Sequence, residues 1–206
     1  TDNRFFIRKQ LGLVRDVMRS QHIPNLRGHI GIGHVRYPTA GSEDRELAQP
    51  MYVNSPFGIS IAHNGNLTNA DELRETLVHK DLRHLNTDSD SEILLNVFAH
   101  ELQKQGVIEP GAKEIFAAVR ALHKRVRGAY SVVIMINGLG IVGFRDPFGI
   151  RPLIIGSKDN DLIGKDYMIA SESNVLDSLG YEIIDDIHAG SAVFISSDGR
   201  LETESC

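Results

Sequence analysis

The chain has 206 residues, of which 41% are hydrophobic and 24% charged, a make-up that can bury a real core; at roughly 150 residues per domain it fits one large domain. Its 22 Lys and Arg stand against 27 Asp and Glu, a formal charge of −5, so nucleic acid and anionic membrane surfaces, which need a positive field, are disfavoured as partners. Tyr130–Phe144, the longest apolar-leaning stretch, holds Asn137 and three glycines and falls short of the ~20 apolar residues of a membrane span. The single cysteine, Cys206, excludes an intramolecular disulfide and a Cys-rich zinc or iron–sulfur site, and fits a reducing cytoplasm. An opening at Thr1, without a basic and apolar leader, suggests a sequence that starts inside a longer protein.

Alternation in Arg4-Phe5-Phe6-Ile7-Arg8 predicts a strand, and Leu13, Val17 and Met18 predict a helix over 13–20. A glycine-punctuated strand is expected over Gly28–Val35, ending at Tyr37-Pro38. Gly58–Ala62 reads as another strand, halted by a turn at His63-Asn64-Gly65. Helices follow over about 69–80 and from a capping box at Ser89-Asp90-Ser91-Glu92, with Ile93, Leu94, Val97 and Phe98 on one face. A third helix, Ala112 to Val126, carries Ile115, Val119, Leu122 and Val126 as its apolar stripe, with Lys113, Arg120 and Lys124 facing water. From Tyr130 the pattern turns to β: Tyr130–Ile136, Gly140–Arg145, Pro152–Ile155, Tyr167–Ser171, Ala192–Ile195 and Arg200–Thr203. Strands in two groups around a helical block, with no internal repeat, describe one α+β unit of stacked layers.

Gly138-Leu-Gly140-Ile-Val-Gly143 matches a dinucleotide-binding pattern, but no helix begins inside it, so a hairpin turn explains these glycines. The histidines, among them His34, lack the paired spacing of a metal site and read as core or solvated residues. Four segments hold more chemistry. Arg36, at a strand end before Tyr37-Pro38-Thr39-Ala40-Gly41, could grip a carboxylate or phosphate with its planar fork, or pair with a surface acid. Asn64-Gly65 places a side-chain N–H beside a backbone N–H, the makings of an oxyanion hole, or simply forms a turn before a helix. Asp88, Asp90 and Glu92 could bind an ammonium group, or serve only the first turn of a helix. Phe144–Leu153 packs ionic residues, two prolines and a glycine between strands and should be stiff.

Taken in order, Gly-His-Val-Arg36-Tyr-Pro-Thr-Ala-Gly, Ala-His-Asn64-Gly65-Asn-Leu-Thr-Asn, Ser-Asp90-Ser-Glu, Arg-Gly-Ala-Tyr130 and Arg-Asp-Pro-Phe-Gly-Ile-Arg-Pro-Leu resemble the class II glutamine amidotransferase domain. The resemblance runs from Gly12-Leu13-Val14 to the strand near Ala192. The last motif is similar to asparagine synthetases as well. The first two motifs look most like the branch that delivers ammonia to phosphoribosyl pyrophosphate in the first step of purine synthesis, since hexosamine-forming relatives read Arg-Trp-Ala-Thr-His-Gly and Asn-Gly-Ile-Ile-Glu-Asn there.

The resemblance implies an αββα four-layer sandwich of the N-terminal-nucleophile hydrolase type, spanning residues 1–206. It implies that Arg36, with Thr39 beside it, holds the α-carboxylate of L-glutamine, and that Asp90 binds the α-ammonium. Asn64 and the Gly65 N–H would stabilise the oxyanion. The family attacks with an N-terminal cysteine whose own amino group is the base. That residue and its first strand are not in this sequence, so the chain is expected to be a piece of a longer enzyme and inactive alone. No cofactor is expected here; magnesium and phosphoribosyl pyrophosphate would belong to a downstream phosphoribosyltransferase domain, and the complete enzyme is expected to be a homo-oligomer. The alternatives are another amidotransferase branch or a glutamine-binding module without catalysis.

Overall fold

A computed structural model describes residues 4–36, 45–161 and 164–206. A short helix α1 (Val14–Val17) and two 3-10 turns (Ile23–Asn25 and Arg45–Leu47) come first, then β1 (Met51–Val53) and β2 (Ile59–Leu67). Three helices follow, α2 (Ala70–His79), α3 (Asp90–Gln103) and α4 (Ala112–Arg125). The remainder is β3 (Gly128–Ile136), β4 (Gly140–Arg145), β5 (Ile154–Asn160), β6 (Gly164–Ala170), α5 (Ser173–Leu179), β7 (Glu182–Asp186), β8 (Ser191–Ser196) and β9 (Leu201–Ser205). Among the described residues no helix is long and apolar enough to cross a membrane.

The strands form two antiparallel sheets, one in the order β1-β2-β3-β4-β8-β9 and one in the order β6-β5-β7. Alternation along β3 shows how they stack. Val132, Ile134 and Ile136 join the core under α3 and α4, while Val133, between them, packs on the other face with Ile155 and Ile169 of the smaller sheet. Successive side chains of a strand point to opposite faces, so one strand serves two interiors. At Gly143 the sheets come so close that a Cβ would meet Ile169 Cδ1 at 2.9 Å. Leu176 of α5, fully buried, covers the outer face of the smaller sheet, where a Cβ on Gly156 would come within 3.1 Å of it. The layers are therefore helix, sheet, sheet, helix.

Helix α3 is the centre of the larger core. Ile93, Leu94, Leu95, Val97, Phe98 and Ala99 are all without exposure, so the helix is buried nearly all round rather than on the one face expected, with Asn96 and Glu101 buried among its apolar residues; each large apolar side chain so buried contributes about 1.5–3 kcal/mol. The α4 stripe of Ile115, Val119 and Leu122 is buried as expected, but Arg120 pairs with Glu204 of β9 instead of facing only water.

Several expectations change. The strands expected over 4–8 and 28–35 do not form. A strand requires a ladder partner, which a local pattern cannot supply. Residues 4–9 are held through side chains, with Arg8 Nε donating to the Val17 carbonyl at 2.6 Å and Lys9 Nζ to the Ala48 carbonyl at 2.9 Å. The helix over 13–20 shortens to Val14–Val17. The sequence pattern predicts neither the short strand β1 nor helix α5 nor strand β7. β7 is exposed along its whole length and shows no burial pattern to read.

Candidate active site

The turn expected at His63-Asn64-Gly65 is instead continuous strand, since β2 runs on through Leu67, paired with β3 as far as Leu67 opposite Gly128. Glycine is required at 65 by close approach: a Cβ there would lie 1.9 Å from the Ala129 carbonyl oxygen, and φ is +136°. The dipeptide that reads as a turn is a place where two backbones touch.

β1 pairs with β2 only over Ile59–Ile61, which leaves the rest of that edge to other partners. The His63 N–H donates to Gln49 Oε1 at 2.7 Å, and Gln49 Nε2 returns a bond to the His63 carbonyl at 3.1 Å. Two alternations further on, the Leu67 N–H donates to Asp90 Oδ2 at 2.7 Å. Amides two residues apart along a strand face the same edge, so the Gly65 N–H is directed there too, between the pair held by Gln49 and the one held by Asp90. Asn64 is exposed beside it.

The start of α3 is fastened to this edge. Ser89 caps the helix by accepting from the Ser91 N–H at 3.2 Å. His63, on the same face of β2 as Ile59 and Ile61, is 5% exposed and its Nδ1 lies 3.1 Å from Ser91 Oγ. Burial, reinforced by the neighbouring His34 and the positive charge of Arg151, pushes His63 down to about 4, so the ring is neutral at neutral pH.

Of the three acids considered for an ammonium group, two are engaged elsewhere. Glu92 does not complete the expected capping box; it accepts from the Asn86 and Thr87 main-chain N–H groups at 2.9 and 2.6 Å and from the Thr87 hydroxyl at 2.7 Å. Asp88 is exposed and pairs with Arg74 at 3.2 Å. Asp90 remains at the strand edge, and among the described residues its Oδ1 accepts no hydrogen bond.

Arg36 is exposed and, among the described residues, pairs with no acid. It enters this region through His34, two residues earlier, whose Nε2 lies 3.0 Å from Asn64 Oδ1. Burial lowers the His34 pKa, and the nearby Arg36 charge acts in the same direction, against the opposing influence of the Asn64 side chain and the His63 main chain. Thr39 lies outside the described residues. Arg36, Asn64, Gly65 and Asp90 are thus tied to one end of β2 through His34, the strand itself and Leu67.

The stiff loop after β4 is held by its ions more than by its prolines. Asp146, wholly buried, accepts from the main-chain N–H groups of Tyr130, Phe148 and Ile150 at 3.1, 2.9 and 3.1 Å. Arg145 donates to the carbonyls of Arg151 and Ile187, each at 2.7 Å, and of Gly149. The loop so fixed brings Arg151 close enough for its charge to act on His63. Two arginines flank the strand end in a chain of net negative charge, and an anion with an adjacent ammonium group suits such a place.

The model of a glutamine amidotransferase domain matches residues 34–178. The chain belongs to this family. The amidotransferase domain is 54% identical over 205 residues to the amidophosphoribosyltransferase of Pseudomonas aeruginosa and 53% identical to that of Escherichia coli, covering all of this chain and 41% of each relative. The fission yeast Schizosaccharomyces pombe protein of the same name is 51% identical over 96% of the chain. The domain therefore spans about two-fifths of the length of these relatives. Among solved structures, the glutamine phosphoribosylpyrophosphate amidotransferase of B. subtilis, complexed with ADP and GMP, superposes with a TM-score of 0.74 at 28% identity, over 94% of this chain and 38% of that one. An enzyme described as the allosteric regulatory enzyme of purine biosynthesis gives a TM-score of 0.75 at 30% identity, with the same coverage. The layered sandwich implied by the sequence is the fold of these neighbours.

Sequence reasoning missed His34, His63, Ser91 and Gln49. A longer β2 would have exposed the signal for His63, because alternation from Ile59 and Ile61 puts it on the buried face. Nothing local marks His34, whose partner is 30 residues away.

Proposed function

We propose that this chain is the glutamine-hydrolysing domain of an amidophosphoribosyltransferase. The observation that supports the reading is the end of β2, which carries Asn64 and Gly65 and where the Leu67 N–H holds the Asp90 carboxylate. In this reading Arg36 holds the α-carboxylate of glutamine with Thr39 beside it, and Asp90 the α-ammonium. A thiolate attacks the side-chain amide carbon, and the negative charge that collects on the amide oxygen is met by Asn64 Nδ2 and the Gly65 N–H. Collapse expels ammonia, water releases glutamate, and ammonia displaces pyrophosphate from phosphoribosyl pyrophosphate to give phosphoribosylamine.

The attacking thiolate is not Cys206, whose sulfur lies against the Phe116 carbonyl of α4; residues 1–206 alone are accordingly expected to hydrolyse no glutamine. Among the described residues no cluster of three or more His, Cys, Asp or Glu could hold a metal, and the reading assigns magnesium to the phosphoribosyl-transfer part of such an enzyme. A cytoplasmic homo-oligomer completes the reading.

Arg36→Lys in the full-length protein tests it. Lysine keeps the charge but loses the two-bond fork, so glutamine binding should weaken by about 1.5–3 kcal/mol while synthesis from added ammonia survives. Equal loss of both activities, or of neither, would count against the assignment.

A further inference from the structure

A donor is useful to an oxyanion only if it points the right way, and a carboxamide can present either of two chemically opposite ends. Asn64 is exposed on its strand, so packing does not decide which end faces the reacting atom. The 3.0 Å contact between His34 Nε2 and Asn64 Oδ1 does. Facing a carbonyl-type oxygen, Nε2 must carry the proton and donate it. A neutral ring then has a bare lone pair at Nδ1, which is buried and, among the described residues, has no hydrogen-bond partner, a cheaper orphan than a buried N–H. With Oδ1 engaged by His34, Nδ2 is the end of the carboxamide left to meet a substrate. Reversing the carboxamide would set its N–H2 group against the His34 N–H and aim an oxygen at a developing oxyanion, losing one hydrogen bond and opposing another charge.

We propose that His34 is a positioning residue for the oxyanion site: its Nε2–H holds Asn64 Oδ1, so that Asn64 Nδ2 is presented to the substrate. This rests on the proposed glutaminase reading, which supplies the oxyanion, and adds to it a residue that touches no substrate atom. The arrangement has a second consequence. His34 is two residues from Arg36, so the segment that grips the carboxylate and the strand that stabilises the transition state are joined through one hydrogen bond.

The test uses the full-length protein with glutamine or ammonia as nitrogen donor. His34→Ala should lower kcat for glutamine hydrolysis by about 10–100-fold, less than the ~10²–10³ for outright loss of such a donor, with KM for glutamine within about twofold and ammonia-dependent synthesis intact. Because His34 acts only through Asn64, adding His34→Ala to Asn64→Ala should lower kcat no further. His34→Gln, whose amide nitrogen reaches about as far as Nε2, should recover most of the turnover; His34→Asn, whose amide falls short, should not. A His34→Ala enzyme with wild-type kcat, or a double variant showing the product of the two losses, overturns the proposal. If His34→Ala does not fold, the Gln and Asn variants decide, and equal turnover in the two rejects the positioning role. Wild-type protein that uses ammonia but never glutamine would instead reject the glutaminase reading itself.

Discussion

The main-chain N–H of Leu67 donates to Asp90 Oδ2 across 2.7 Å, so the first residue of α3 closes the end of β2. One carboxylate oxygen is engaged by the fold, and in the proposed function the other meets the α-ammonium of glutamine. Asp90→Asn separates the two uses, because the amide oxygen still accepts from Leu67 while the charge is gone. Stability should change little. Glutamine KM should rise by about 10–100-fold, the worth of a charge-assisted hydrogen bond, with ammonia-dependent synthesis unaffected. Unchanged KM in a folded variant would take Asp90 out of the ammonium site.

Gly65→Ala should be a folding defect before it is a catalytic one. A Cβ at 1.9 Å from the Ala129 carbonyl oxygen forces β2 and β3 apart where they are paired, at a cost of about 1–3 kcal/mol or more. Thermal unfolding should move down by several degrees for a chain of this size. Gly31→Ala is the control, since a Cβ there meets no heavy atom within 4 Å, and its midpoint should stay close to wild type. Similar midpoints for the two variants would show that the strands can separate at Gly65 without loss.

How far the sequence could be read depends on whether a signal is local. The α4 stripe is written in consecutive turns, so its spacing suffices to place Ile115, Val119 and Leu122 in the core. Asn64-Gly65 reads as a turn but lies within a continuous strand, because the need for glycine comes from Ala129 on another strand and not from its neighbours. The His34–Asn64 and Leu67–Asp90 bonds join residues 30 and 23 positions apart, and no periodicity encodes them. Resemblance to a family points to Arg36, Asn64, Gly65 and Asp90 as site residues, while the side chains that hold them come only from the fold.

Stability should fall as pH drops from about 6.5 towards 4. His63 and His123 are each pushed down to about 4, chiefly by burial, with Asp146 partly opposing the shift at His123. Unfolded histidines titrate near 6.5, so between these values the unfolded chain binds protons that the folded chain refuses. Stability is complete above about 6.5 and is lost as pH falls through the folded values; for His63 the loss is on the order of 3 kcal/mol. His123 Nδ1 lies 2.8 Å from the hydroxyl of fully buried Tyr130, so His123→Phe with Tyr130→Phe removes this titrating group without orphaning the phenol. The double variant should show a shallower fall of melting temperature between pH 6.5 and 4. An identical profile would mean that His123 does not contribute to it.

Asn64→Asp asks whether Asn64 is a donor or only part of a strand. Aspartate is nearly the same size, and its carboxylate oxygen can accept from His34 Nε2 as Asn64 Oδ1 does at 3.0 Å, so the contact with His34 survives the substitution. The main-chain pairing opposite Ser131 does not involve the side chain. Melting temperature should therefore stay near wild type. What disappears is the N–H2 group, replaced by a negative charge directed at the place where the oxyanion forms. Loss of one such donor costs about 10²–10³ in turnover, and repulsion adds to that. In the full-length protein, glutamine hydrolysis should collapse while synthesis from ammonia continues. A stable Asn64→Asp protein with near-normal glutamine turnover would remove Asn64 from the site and leave Gly65 as the only oxyanion donor on β2.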